Sequence, residues 1–142
     1  MKEIKLLNYL LLCFLVFVLT NCESTQKYSF KISELDSTIS PTKISISALA
    51  NDYRTYQGRY IETTGIFYGA FEQFAICTEK NSITGRSKCF WLRTNRHLEI
   101  NFEAYEKMKG KTVHIKGLVD TTHKGHRGEY MATIDEIYFW EQ

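Results

Sequence analysis

Three groups of side chains in this 142-residue sequence could do chemistry, and each sits where a strand or a turn must hold it. The first is a pair of thiols, Cys77 and Cys89, with eleven residues between them. The second is "DTTHKGHR", where Asp120, His123 and His126 offer a carboxylate and two imidazoles to a metal. The third is "CFWLRT", where Trp91 beside Arg93 makes, in principle, a platform on which a planar ligand stacks.

The thiols are placed by alternation. "GAFEQFAIC" puts Phe74 and Ile76 on one face and "CFWLRT" puts Phe90 and Leu92 on one face, so Cys77 and Cys89 project from the other side of a β-hairpin. Cross-strand Cβ atoms lie roughly 4.5 to 5.5 Å apart, close to what a disulfide bridges. A disulfide closing this loop would add about 3 kcal/mol on the chain-entropy account. The alternative is two buried free thiols, because register is inferred from pattern. There is no Cys-x-x-Cys, which argues against redox-active or metal-binding thiols.

A zinc site at His123 and His126 needs a third or fourth ligand in fixed geometry, and neither His97 nor His114 is placed to supply one. Two histidines in a glycine-containing hairpin loop read more simply as solvated turn residues. No cofactor is expected. No catalytic constellation stands out either. No serine sits in a nucleophile elbow, no glycine loop cradles a phosphate, and the adjacent Asp135 and Glu136 point to opposite faces of a strand. A metal-dependent hydrolase at His123 and His126 is the distant alternative.

The elements that must position these groups follow from periodicity. "ISALANDYRTYQG" offers Ser47 as a helix N-cap, Ala48, Leu49 and Tyr53 at helical spacing, and Gly58 as a stop. "DYRTYQGRYIETTG" from Asp52 is echoed by "AYEKMKGKTVHIKG" from Ala104, aligning Tyr53 with Tyr105, Gly58 with Gly110, Ile61 with Val113 and Gly65 with Gly117. Both copies predict a helix end, a glycine stop and a strand containing a glycine, where a bulge or sharp coil is allowed. "RHLEINFEAYEKM" carries Leu98, Phe102, Tyr105 and Met108 at helical spacing and predicts a helix with one apolar stripe. His114 alternates with Val113 and Ile115 and is expected to face solvent or a neighbouring side chain.

The amino-terminal end is different in kind. Lys2 and Lys5 precede an apolar stretch from Leu6 to Leu19, broken only by Asn8 and Tyr9, which is too short to span a bilayer comfortably. "VLTNCES" then closes it with a cysteine. Leu19, Thr20 and Cys22 resemble a bacterial lipoprotein signal, with Asn21 departing from the usual small residue. The resemblance implies that residues 1–21 are a removed signal peptide, that Cys22 carries lipid, and that the protein lies in the cell envelope, held to a membrane outside the cytoplasm. Two or more acyl chains hold a protein durably, where one does so marginally.

Without residues 1–21 the chain has 121 residues, 16 basic and 15 acidic, enough for one domain and too balanced to imply a nucleic-acid or acidic-polymer partner. Residues 22–42 are rich in Ser and Thr and read as a tether, although the alternation in "KYSFKI" offers an edge strand instead. The domain is expected over residues 43–142.

The order strand, strand, strand, helix, strand, strand resembles the OB-fold, a five-stranded Greek-key barrel with a helix between strands three and four. A short helix precedes strand one. "VHIKGLVD" is similar to segments of small exported bacterial OB-fold proteins. OB-folds bind oligonucleotides or oligosaccharides on strands two and three, between the first and last hairpin loops. That implies a ligand surface of Tyr68 and Phe71, Trp91 and Arg93, and His123, Lys124, His126 and Arg127. Between Arg86 and Arg127 there are ten basic residues against four acidic, which could steer an anionic partner. The expected partners are the membrane through Cys22 and an envelope glycan, peptide or protein, with nucleic acid disfavoured. The two function classes are a non-catalytic binding module and an accessory subunit docking on another envelope protein.

Overall fold

The computed structural model describes residues 26–80, 82–86 and 88–142. Cys22 and the apolar stretch before it lie outside the described residues. The fold is mainly β, as expected, with seven strands in one mixed sheet and three short α-helices among the described residues.

The first helix, the first strand and the start of the second strand come from the segment read as a tether. The strand offered by "KYSFKI" forms: β1 (Ser29–Lys31) pairs antiparallel with β7 (Thr133–Glu141), Ser29 opposite Glu141. Helix α1 (Ser33–Thr38) follows, then β2 (Thr42–Lys43), which pairs parallel with β3 (Tyr60–Ala70). Alternation lets Phe30 and Ile32 pack against the core, and that burial outweighs the polar composition of the segment.

Helix α2 spans Ile46–Asp52 and is capped by Ser45, two residues before the Ser47 expected; the Ala48 amide donates to Ser45 Oγ at 3.2 Å. The shift has a packing reason. Starting at Ile46 puts Ile46 and Leu49, three residues apart, on the buried face. A 3-10 turn over Tyr53–Tyr56 and Gly58 at φ +70° end the segment before β3.

The internal echo is a matched pair in space. Helix α3 (Phe102–Met108), Gly110 at φ +72° and β6 (Thr112–Asp120) repeat the order of α2, Gly58 and β3. The two strands pair antiparallel with each other, Ile61 opposite Gly117 and Gly65 opposite Val113, so the aligned positions exchange partners. The expected stripe on α3 needs correcting. Asn101 caps the helix, its side chain accepting from the Ala104 amide at 2.8 Å, so Leu98 precedes the helix and is buried in a loop. The buried face is Ala104 and Met108, four residues apart, which turns Phe102 outward at 77% exposure.

The remaining pairings set the site. β3 pairs antiparallel with β4 (Gln73–Cys77), β4 antiparallel with β5 (Cys89–Thr94), β5 parallel with β7, and β7 antiparallel with β6, which returns to β3. Each of these five strands therefore has a partner on both sides. Against both β5 and β6, the register of β7 shifts near Asp135 and Glu136, and Glu136 has φ +47°. Inside, Phe67 lies edge-on to Phe74, Tyr105 and Trp140 with ring centroids 5.6, 5.6 and 4.9 Å away. Phe90, Leu92 and Ile76 share this core and Phe74 packs against it, as alternation requires. Each large apolar side chain fully buried here contributes roughly 1.5 to 3 kcal/mol.

Candidate functional site

Cys77 and Cys89 are directly opposite in the β4–β5 register, with Cα atoms 4.2 Å apart, and are joined as a disulfide. They point away from the main core, yet both are fully buried. A second cluster encloses them, made of Ala75 and Tyr130 with Tyr68, Ile83 and Trp91 packed around it. The outer face of β4 and β5 is thus a covered surface.

What covers it is the loop between β6 and β7. The ring of Trp91 meets Tyr130 edge-on at 5.2 Å, and the backbone at Gly125 lies on the indole. A Cβ at Gly125 would stand 2.6 Å from Trp91 Cβ and Cγ, and φ +65°, ψ −156° at this residue is a conformation open to glycine alone. The amide of Trp91 donates to the Ala132 carbonyl at 3.0 Å and that of Met131 to Cys89 at 3.1 Å, stitching the loop's end to β5. Trp91 is consequently half-buried, and the exposed platform expected at this position is not formed. Arg93, two residues on, is committed elsewhere. Its Nε donates to Asp135 Oδ1 at 2.6 Å and a second guanidinium nitrogen to Oδ2. The Asp135 carboxyl is held below the usual range, first by that guanidinium, against the opposing effect of burial.

The loop has its own internal order. Asp120 accepts from the Thr122 hydroxyl at 2.6 Å and the Thr122 amide at 2.9 Å, and lies 2.7 Å from His123 Nδ1. These contacts, the Thr122 hydroxyl foremost and against burial, bring the Asp120 carboxyl down to about 2. The Thr133 hydroxyl donates to the His123 carbonyl at 3.0 Å. With its oxygens engaged this way, the carboxylate shapes the turn. Among the described residues no group of three or more His, Cys, Asp and Glu side chains could hold a metal.

His126 and Arg127 reach across to the β3–β4 hairpin. His126 Nε2 is 3.5 Å and an Arg127 nitrogen 4.0 Å from a Glu72 carboxylate oxygen, and the Tyr130 hydroxyl donates to the Glu72 carbonyl at 3.3 Å. Arg127 holds φ +56°, between glycines 125 and 128 at φ +65° and +70°. The structure therefore brings together the first and last hairpin loops and leaves Lys124 and Arg127 exposed. Tyr68 faces the second cluster instead, donating its hydroxyl to the Lys80 carbonyl, with burial raising its pKa. Phe71, at the hairpin tip, is 100% exposed.

Sequence reasoning missed the residues that do the covering: Glu72, Gly125 and Tyr130. The signal for Gly125 was present, since a glycine flanked by polar residues marks an unusual backbone. No pattern in the sequence reported that its backbone lies on Trp91. A second feature also passed unseen. Lys43, Glu62 and His114 line a groove of about 470 Å³ beside β2, with His114 Nε2 3.0 Å from Glu62. His114 thus faces a neighbouring side chain, one of the two surroundings expected for it.

Comparison with protein-family models, curated proteins and solved structures finds no match to this chain.

Proposed function

We propose that this protein is a lipid-anchored extracytoplasmic domain of OB-fold-like architecture that acts as a non-catalytic binding module in the cell envelope. The fold reading is supported by the cycle of pairings through β3, β4, β5, β7 and β6, with the parallel β5–β7 contact and a helix between β5 and β6. The anchor rests on the sequence around Cys22 alone. The observation that carries the binding role is the junction of the two hairpin loops at Glu72, which brings His126 and Arg127 beside its carboxylate where Lys124 and Arg127 stand exposed. A basic rim of this kind suits an extended ligand such as an envelope glycan, peptide or polymer, which needs no deep pocket.

The covering of Trp91 favours a second reading, an accessory subunit docking on another envelope protein. With Tyr130 and Gly125 over the indole, the ring at the position where OB-folds stack a base or sugar is already covered. The two readings separate in one experiment. Amide NMR of the protein, titrated with envelope glycan fragments and short peptides, should give saturable shifts over residues 120–128 that vanish in Lys124→Ala/Arg127→Ala. A spectrum that never moves rejects the first reading, and cross-linking from Arg127 in intact cells then tests the second.

A further inference from the structure

We propose that the surface formed by α3 and the tip of the β3–β4 hairpin lies against the phospholipid bilayer, with Phe71 and Phe102 entering the headgroup region. The inference rests on the lipid-anchored reading above and adds which face of the domain meets the membrane.

Three independent features converge on this surface. Phe71 and Phe102 are the two large hydrophobic side chains exposed among the described residues, at 100% and 77%. Phe102 stacks on Tyr105 with centroids 6.5 Å apart, and the Tyr105 hydroxyl packs on Gly69, two residues before Phe71, so closely that a Cβ there would stand 2.6 Å from it. The second feature is composition. Lys107 Nζ stands 5.9 Å over the Tyr28 ring and Lys109 Nζ 4.9 Å over the Tyr105 ring. Both ammonium groups are paired, Lys107 with Glu103 at 2.7 Å and Lys109 with Glu106 at 2.6 Å, so the aromatic bodies carry a charge-balanced rim, and at the headgroup boundary the apolar part sinks while the charges stay wet.

The third feature is reach. The chain joins the folded domain at Tyr28, whose carbonyl accepts from the Gln142 amide and whose ring lies under Lys107 of α3. From Cys22 to Tyr28 is six residues, which extend at most roughly 20 Å. Because β1 takes up Ser29–Lys31, the tether implied by composition shortens to that link. A lipid on Cys22 therefore keeps the Tyr28 side of the domain within roughly 20 Å of the membrane surface. At such proximity even two partly inserted rings suffice, since attachment is already intramolecular.

The test uses the full-length, membrane-inserted protein in phosphatidylethanolamine/phosphatidylglycerol vesicles, three to one by an approximate molar ratio, with and without brominated acyl chains. Single variants Phe71→Trp, Phe102→Trp and, at the far end of β3, Arg59→Trp report depth; Trp91 and Trp140 are common to all and cancel. The expected result is about a twofold loss of the added emission at 71 and 102 and none at 59, because interfacial rings lie within reach of the upper acyl chain. Labelled palmitate fed to cells reports the anchor separately through its loss in Cys22→Ala. Label on Cys22 with 71 and 102 behaving like 59 overturns the membrane face and leaves the anchor intact. Absence of label rejects the anchor, and the face then stands or falls on quenching of the same full-length chain.

Discussion

Trp91 on β5 and Phe102 on α3 both point away from the main core, yet one is covered by its own chain and the other is 77% exposed. The difference lies in what surrounds each. Trp91 sits beneath a loop with a glycine that lets backbone touch the indole, a tyrosine that meets it edge-on, and a disulfide that fixes the strands beneath. Phe102 begins a seven-residue helix whose buried face is two small steps away at Ala104 and Met108. Outward position alone therefore does not make a side chain available. Availability depends on whether another segment carries the groups needed to close over it.

The largest effect that would break this contrast comes from the covered side. Cys77→Ala/Cys89→Ala should lower unfolding free energy by about 3 kcal/mol on the chain-entropy account, read from a urea transition. An unchanged midpoint would mean that the second cluster holds the strands without the bond. Next comes Gly125→Ala, which adds a Cβ against Trp91 at a backbone conformation reserved for glycine and should cost roughly 1 to 3 kcal/mol. The expected signature is a red shift of Trp91 emission as the loop lifts, and an unshifted spectrum would show that the loop does not depend on that contact.

A smaller effect follows from the carboxylates beneath the loop. Asp120 is ionised in the fold down to about 2, below its unfolded value near 4, and Asp135 is also lowered by Arg93. The stabilisation from Asp120 is thus complete above about pH 4 and is lost as pH falls toward 2, and that from Asp135 is lost in the same direction. Acid titration of stability should show that slope, and Asp120→Asn should flatten it. The smallest effect marks the exposed side. Phe71→Ser and Phe102→Ser should change stability by no more than about 0.5 kcal/mol, since both rings are already in water in the isolated domain. A larger loss in the Phe102 variant would show that its stacking on Tyr105 is structural.

Much of the scaffold was legible because its signals are local. Alternation in "GAFEQFAIC" and "CFWLRT" placed Phe74, Ile76, Phe90 and Leu92 inward and set the two cysteines on one side of a hairpin. The echo from Asp52 and Ala104 anticipated two helix–glycine–strand units, although not that the strands would pair with each other. The stripe on α3 held at Tyr105 and Met108 and failed at Phe102 and Leu98, because spacing alone cannot tell which residue caps a helix. With Asn101 as cap, Phe102 turns outward and Leu98 leaves the helix.

The sequence by itself determined the β-rich class, the common side on which Cys77 and Cys89 lie and the inward face of each central strand, because a period of two depends only on neighbours along the chain, whereas the register that joins the two cysteines came from the fold. Tertiary structure alone decided that Trp91 is covered, that Arg93 is held by Asp135, that Glu72 gathers His126 and Arg127, and that Ser29–Lys31 joins the sheet rather than the tether. Each of those outcomes is a contact between residues far apart in the chain. Such contacts are chosen by packing the whole domain at once, where burial of one surface competes with burial of every other.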